Sequence, residues 1–203
     1  MTLRTYRTSA SVCRVLGSDL HWTTVRHRLQ TARMTTMAQG GHTGPDDESD
    51  SHLSELRRRR AELLESINAL EQALAAPVPG RQMLWVERVS TALLELSGDF
   101  HDHVELTEGP DGLYGRVTVS APRLAHAVER LTMDHGAVTE LIGKLLAMVG
   151  KAAESFARGD SILGELDDVR DLGTTLLATL VRHRQRGADL VYEGYSVDIG
   201  GQD

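Results

Sequence analysis

The sequence predicts an all-α protein, an up-down-up-down four-helix bundle preceded by a disordered N-terminal extension, and three observations carry that prediction. Aromatic residues make up only 4% of the 203 residues, too few for the strands of a sandwich or barrel. Four long segments repeat apolar residues in alternating steps of three and four, the signature of one buried helical face. The connections between them are mostly short and contain Pro or Gly, which favours antiparallel neighbours.

Residues 1–39 are rich in Arg, Ser and Thr and show no sustained helical period, so they are expected outside the core. Their composition fits a transit peptide or a stretch lying ahead of a true start at Met34 or Met37. The following linker, Gly40–Asp50 (GGHTGPDDESD), is acidic and full of helix breakers, and residues 1–49 together read as poorly ordered. The bundle is expected over residues 50–195, with 196–203 as a tail.

Asp50 or Ser51 can cap the first helix, whose seam reads Leu53, Leu56, Arg60, Leu63, Ile67, Leu70 and Leu74 until Pro77 stops it. The second seam runs through Trp85, Val89, Ala92, Leu96, Phe100, His103 and Thr107. Gly109-Pro110 interrupts it, and Leu113–Val119 is expected to carry the chain further in the same direction. The third helix opens at Ser120 or Pro122 and buries Leu124, Val128, Leu131, His135, Val138, Ile142, Leu145 and Val149. Arg158-Gly159-Asp160 ends it and caps the fourth, with Val169, Leu176, Leu180, His183, Gly187 and Leu190 inward.

Composition narrows the function. Residues 1–39 hold six Arg against Asp19, a net of +5, so with −7 overall the rest of the chain carries −12. An acidic body argues against nucleic acid, which needs a positive face. No apolar run of membrane-spanning length occurs, so no membrane partner is expected. The single Cys13 cannot form an internal disulfide, which suits a reducing, cytoplasmic setting. No nucleotide-binding loop, nucleophile elbow or zinc-protease motif is present, so the reading leans away from an enzyme and assigns no catalytic residue.

The histidines on the seams are the chemical signal. Antiparallel helices joined by a short turn are level at equal counts from it. His135 lies 24 residues before Gly159 and His183 lies 23 after Asp160; His103 lies 23 after Gly80, and His52 lies 25 before Pro77. Four helices therefore offer one histidine each at one height. A lone seam histidine is usually a hydrogen-bonded core residue, but several converging imidazoles are satisfied together by a shared metal ion or a wet polar pocket.

At these residues, FHDHVELTEGPDGLY, RLTMDHGAVTEL and LVRHRQRGADLVYE, the sequence resembles the hemerythrin-like (HHE cation-binding) family over about residues 50–195. The resemblance implies a four-helix bundle with a di-iron centre in its core. His103, His135 and His183 match family ligands, and His52 is a loose match for the first helix's. Thr107 stands at the place of a bridging Glu, Thr139 at that of a second His, and Gly187 at that of a carboxylate. Glu108 is the best remaining carboxylate, because Gly109-Pro110 could fold it back; Asp189, about 120° round the helix from His183, should point away. The expected metal ligands are thus His103, His135, His183, Glu108 and His52, holding one ion of iron, or zinc, or none. Oxygen, iron or redox sensing is the expected role; the alternative is a metal-free bundle acting as a homodimer or protein-interaction module.

Other residues are read more plainly. The run Arg57–Arg60 is expected to be a solvated face paired with Glu55 and Glu62, except for Arg60, which falls on the seam and could pair with Glu105 or Glu108. His101, Asp102 and His126 read as surface. Tyr114, Tyr192 and Tyr195 could line a pocket or pack helix ends. Asp134 would support its neighbour His135 only if the helix were distorted.

Overall fold

The computed structural model describes residues 45–196, and no strand occurs among them. Its helices are α1 (Pro45–Ala75), α2 (Gln82–Glu108), the short α3 (Leu113–Ser120), α4 (Ala125–Ala157) and α5 (Leu163–Ser196), with a 3-10 turn, Pro122–Leu124, ahead of α4. The bundle belongs to the compact unit Ser49–Asp203. Residues 1–44 and 197–203, and the side chains of His52, Leu53, Leu56 and Tyr195, lie outside the described residues, and so do the expectations that fall on them.

Contacts between helices fix the directions. Arg59 meets Asp102, and Ser66 meets Asp99, between α1 and α2. Ser155 meets Glu165, and Arg186 meets Asp134, between α4 and α5. Arg170 of α5 donates to the carbonyls of Leu74 and Ala76, closing the ring of helices. In each pair residue numbers rise on one helix as they fall on the other, so the chain runs up, down, up and down.

Three local details differ from the expectation. Helix α1 starts at Pro45, inside the segment read as a disordered linker. The sequence Pro45-Asp46-Asp47-Glu48 explains this, since proline suits the first helical position and acidic residues the positive end of the helix dipole. Asp160 does not cap α5. Instead its N–H bonds the Ser155 carbonyl while that of Gly159 bonds Phe156, a Schellman closure of α4 in which Gly159 takes φ +86°, and α5 begins only at Leu163. Arg60 is exposed rather than seated on the seam.

The extension past Gly109-Pro110 follows the expected direction as a separate helix. A Cβ on Gly112 would sit 2.4 Å from the Thr107 carbonyl, so the turn folds tightly against the end of α2 only because that position is glycine. Tyr114 then lies level with His135, and Val117 approaches Leu124 and Gly194 further down the bundle.

The apolar core is in two parts. The larger packs Leu70, Trp85, Leu93, Phe100, Leu145 and Leu180, and the smaller packs Tyr114, Val117, Leu124, Leu131 and Leu190. His135 sits between Leu131 and Val138 on α4, His183 between Leu180 and Leu190 on α5, and His103 just beyond Phe100 on α2. A histidine layer therefore interrupts the core where a leucine at each position would contribute roughly 1.5–3 kcal/mol by burial.

Candidate metal centre

The three seam histidines meet. Ring centroids are 5.2 Å apart for His103 and His135, 5.3 Å for His103 and His183, and 4.7 Å for His135 and His183. One ring nitrogen from each lies within 4.8 Å of one from each of the others, and Nε2 of His103 is 3.1 Å from Nε2 of His183. His135 and His183 are each 3% exposed, and His103 is partly buried. The Phe100 ring forms the apolar wall, its centroid 5.6–6.2 Å from all three imidazoles. The grouping follows from equal counts along helices of the same rise, well inside the distance at which a shared site would fail.

Two carboxylates stand behind these rings. Glu108, the last residue of α2, reaches across to α4 and accepts a short hydrogen bond from Nδ1 of His135. That bond fixes the proton on Nδ1 and turns the lone pair of Nε2 toward the other histidines. Asp134 crosses from α4 to α5, where its Oδ2 lies 3.8 Å from Nδ1 of His183. Both Asp134 oxygens accept from Nη1 of Arg186 at 2.7 Å, which holds the carboxylate in place. At 3.8 Å the His183 contact is beyond hydrogen-bond reach, so Nδ1 is a buried polar atom without a partner.

The rings are held neutral. Burial pushes His103 down to about 3, helped by the neighbouring His135, His183 and Arg60. Burial likewise brings His183 to about 4, with His135 adding to the effect and Asp134 opposing it. His135 is lowered by burial and partly restored by Glu108. Neutral imidazoles with free lone pairs are the form that binds a metal. Tyr114 is pushed the other way, above the usual phenol value, by burial and then by Glu108.

Tyr114 completes the pocket. It is 6% exposed, its ring lies 12° from parallel to His135 with centroids 5.7 Å apart, and its hydroxyl is 3.5 Å from Nε2 of His135. The sequence contained a usable signal for it, since Tyr114 opens a helix beyond the site and side chains tilt toward the helix N-terminus, here back toward the histidines. Asp134, expected beside His135 only in a distorted helix, instead faces His183 on the next helix across 3.8 Å, with α4 unbroken.

The remaining expected positions stay apart from the site. Asp189 is exposed and accepts from Gln185, in agreement with its angular offset. The hydroxyls of Thr107 and Thr139 bond carbonyls of their own helices, those of His103 and His135. A Cβ on Gly187 would meet nothing within 4 Å, so α5 leaves open space one turn beyond His183. His101 and His126 are exposed, as expected, and lie 3.5 Å from Glu105 and Glu129. Of the arginine run, Arg58 pairs with Glu55 and Glu62, while Arg59, not Arg60, reaches across to α2 and pairs with Asp102. Asp102 is accordingly half-buried rather than a surface residue. Tyr192 is exposed.

A buried histidine triad that could hold a metal ion is therefore present on α2, α4 and α5. No helix among the described residues is long and apolar enough to cross a membrane. Comparison of the chain with protein-family models, with curated proteins and with solved structures finds no match.

Proposed function

We propose that this chain is a hemerythrin-like bundle with a reduced ligand set, binding one transition-metal ion, iron or zinc, through Nε2 of His103, His135 and His183. The observation that carries the reading is the convergence of three neutral imidazoles from three helices, two of them backed by a carboxylate. Donors bonded at ~2.0–2.1 Å to a tetrahedral ion stand about 3.3 Å apart, and the His103–His183 pair is already at 3.1 Å. Glu108 orients the His135 ring and raises its basicity, the usual arrangement behind metal-bound histidine, and Asp134 faces Nδ1 of His183 at 3.8 Å. Asp134 also offers the nearest acceptor for the orphaned Nδ1 of His183.

One ion fits better than two. Thr139 and Gly187 supply no donor to the centre, and Asp189 faces away, so a second ion would be held mainly by water. An ion bound to three imidazoles supplies a Lewis-acid or redox centre with room for an exogenous ligand, which suits sensing of oxygen, iron or redox state. A role in the cytoplasm is part of the same proposal, from the cysteine usage.

Elemental analysis after expression with added iron or zinc tests the reading. About one ion per chain is expected, falling in His103→Ala and in His183→Ala because each removes a ligand. Two equivalents would restore a dinuclear centre, and none would leave the metal-free interaction or dimerisation module.

A further inference from the structure

We infer that Tyr114 is the fourth protein ligand of this centre, binding through its phenolate oxygen, and that this oxygen selects ferric iron. The inference rests on the metal-binding reading above and adds to it the missing ligand and the oxidation state.

The geometry is already close to what ligation needs. The Tyr114 hydroxyl lies 3.5 Å from Nε2 of His135, the nitrogen that Glu108 leaves free for the ion. Two donors on one tetrahedral ion stand about 3.3 Å apart, close to the separation of this pair. The ring cannot easily swing away. It is packed into the smaller apolar cluster with Val117, Leu131 and Leu190 and stacked against His135.

Charge gives the second argument. Three neutral imidazoles bring no negative charge to an ion buried in a low-dielectric core, and Asp134 is already paired with Arg186. A phenolate bonded directly to the ion supplies one negative charge, and Glu108 behind His135 a second. A hard anionic oxygen with three nitrogens suits ferric iron better than zinc or ferrous iron. On binding, the Tyr114 O–H bond breaks, an oxygen–iron bond forms and the proton leaves to solvent. No electron is transferred.

Ferric phenolate absorbs visible light through charge transfer from oxygen to iron, and zinc phenolate does not. The full-length protein loaded with ferric iron is expected to bind about one equivalent and to show this band, with phenolate modes in its resonance Raman spectrum. Tyr114→Phe should keep at least half of the iron and lose the band. A variant carrying Tyr6→Phe, Tyr192→Phe and Tyr195→Phe, with Tyr114 as its only tyrosine, should keep both, a result that does not depend on the folding of Tyr114→Phe. One equivalent of ferric iron with no band, or a band lost in the triple variant, overturns the tyrosine ligand while leaving metal binding intact. Failure to bind either iron or zinc overturns both.

Discussion

Acid should destabilise the metal-free protein well before its carboxylates titrate. His103 and His183 are held neutral by burial, at about 3 and about 4, against an ordinary imidazole value of 6.5. Both values are depressed for a group that charges on protonation, so the unfolded chain binds protons first as the pH falls. The stability tied to neutral rings is present above about pH 6.5, drains away below it, and stops falling only near pH 3–4. By linkage each ring loses about 2 kcal/mol of stability between pH 7.5 and pH 5, or ~4 kcal/mol for the pair. That is a large part of the roughly 5–15 kcal/mol that holds a domain together. With a urea slope of about 2 kcal/mol/M, the unfolding midpoint should drop by ~2 M over this interval. Asp99, raised by burial between α1 and α2, works in the opposite direction, since a carboxyl raised on folding stabilises the native state as the pH falls. The comparison that isolates the histidines is therefore between proteins: EDTA-treated wild type against the His103→Leu/His183→Leu double variant, each melted in urea at both pH values. Most of the drop should vanish in the double variant. Equal drops in the two proteins, or none in the wild type, would refute the neutral, buried histidine layer.

Three further outcomes follow from the same geometry. Glu108→Gln and Asp134→Asn should each weaken metal binding by about 10–100-fold without altering the stoichiometry, measured by competition with a chromophoric chelator, because each removes a carboxylate behind a ligand ring. Gly187→Ala should raise stability by about 0.5–1 kcal/mol in urea melts, since its Cβ meets open space and alanine is the better helix former. Gly173→Ala on the same helix should lower stability by about 1 kcal/mol despite that gain, because its Cβ would stand 2.6 Å from the buried Leu74 side chain and overpack the contact of α5 with α1.

Helix identity, order and the shared height of His103, His135 and His183 were determined by the sequence alone. Seam spacing on α2, α4 and α5 predicted burial for Trp85, Phe100, Leu131, Val138, Ile142, Leu176 and Leu180, and all are buried. Counts from the turns predicted that His103, His135 and His183 share a level, because every residue of an α-helix rises by the same ~1.5 Å. The start of α1 was legible too, in Pro45 and the acids after it, but the polar composition of the linker outweighed them. Only the tertiary structure decided which side chain on one helix meets which on the next. Glu108 bonds His135, Asp134 faces His183, Arg59 rather than Arg60 crosses to Asp102, and Tyr114 returns from α3 to stack on His135. The spacing of one helix defines its own faces but not the rotation of its neighbours about their axes. Adjacent residues lie about 100° apart, so a modest rotation of a helix exchanges one partner for another while leaving every seam position buried.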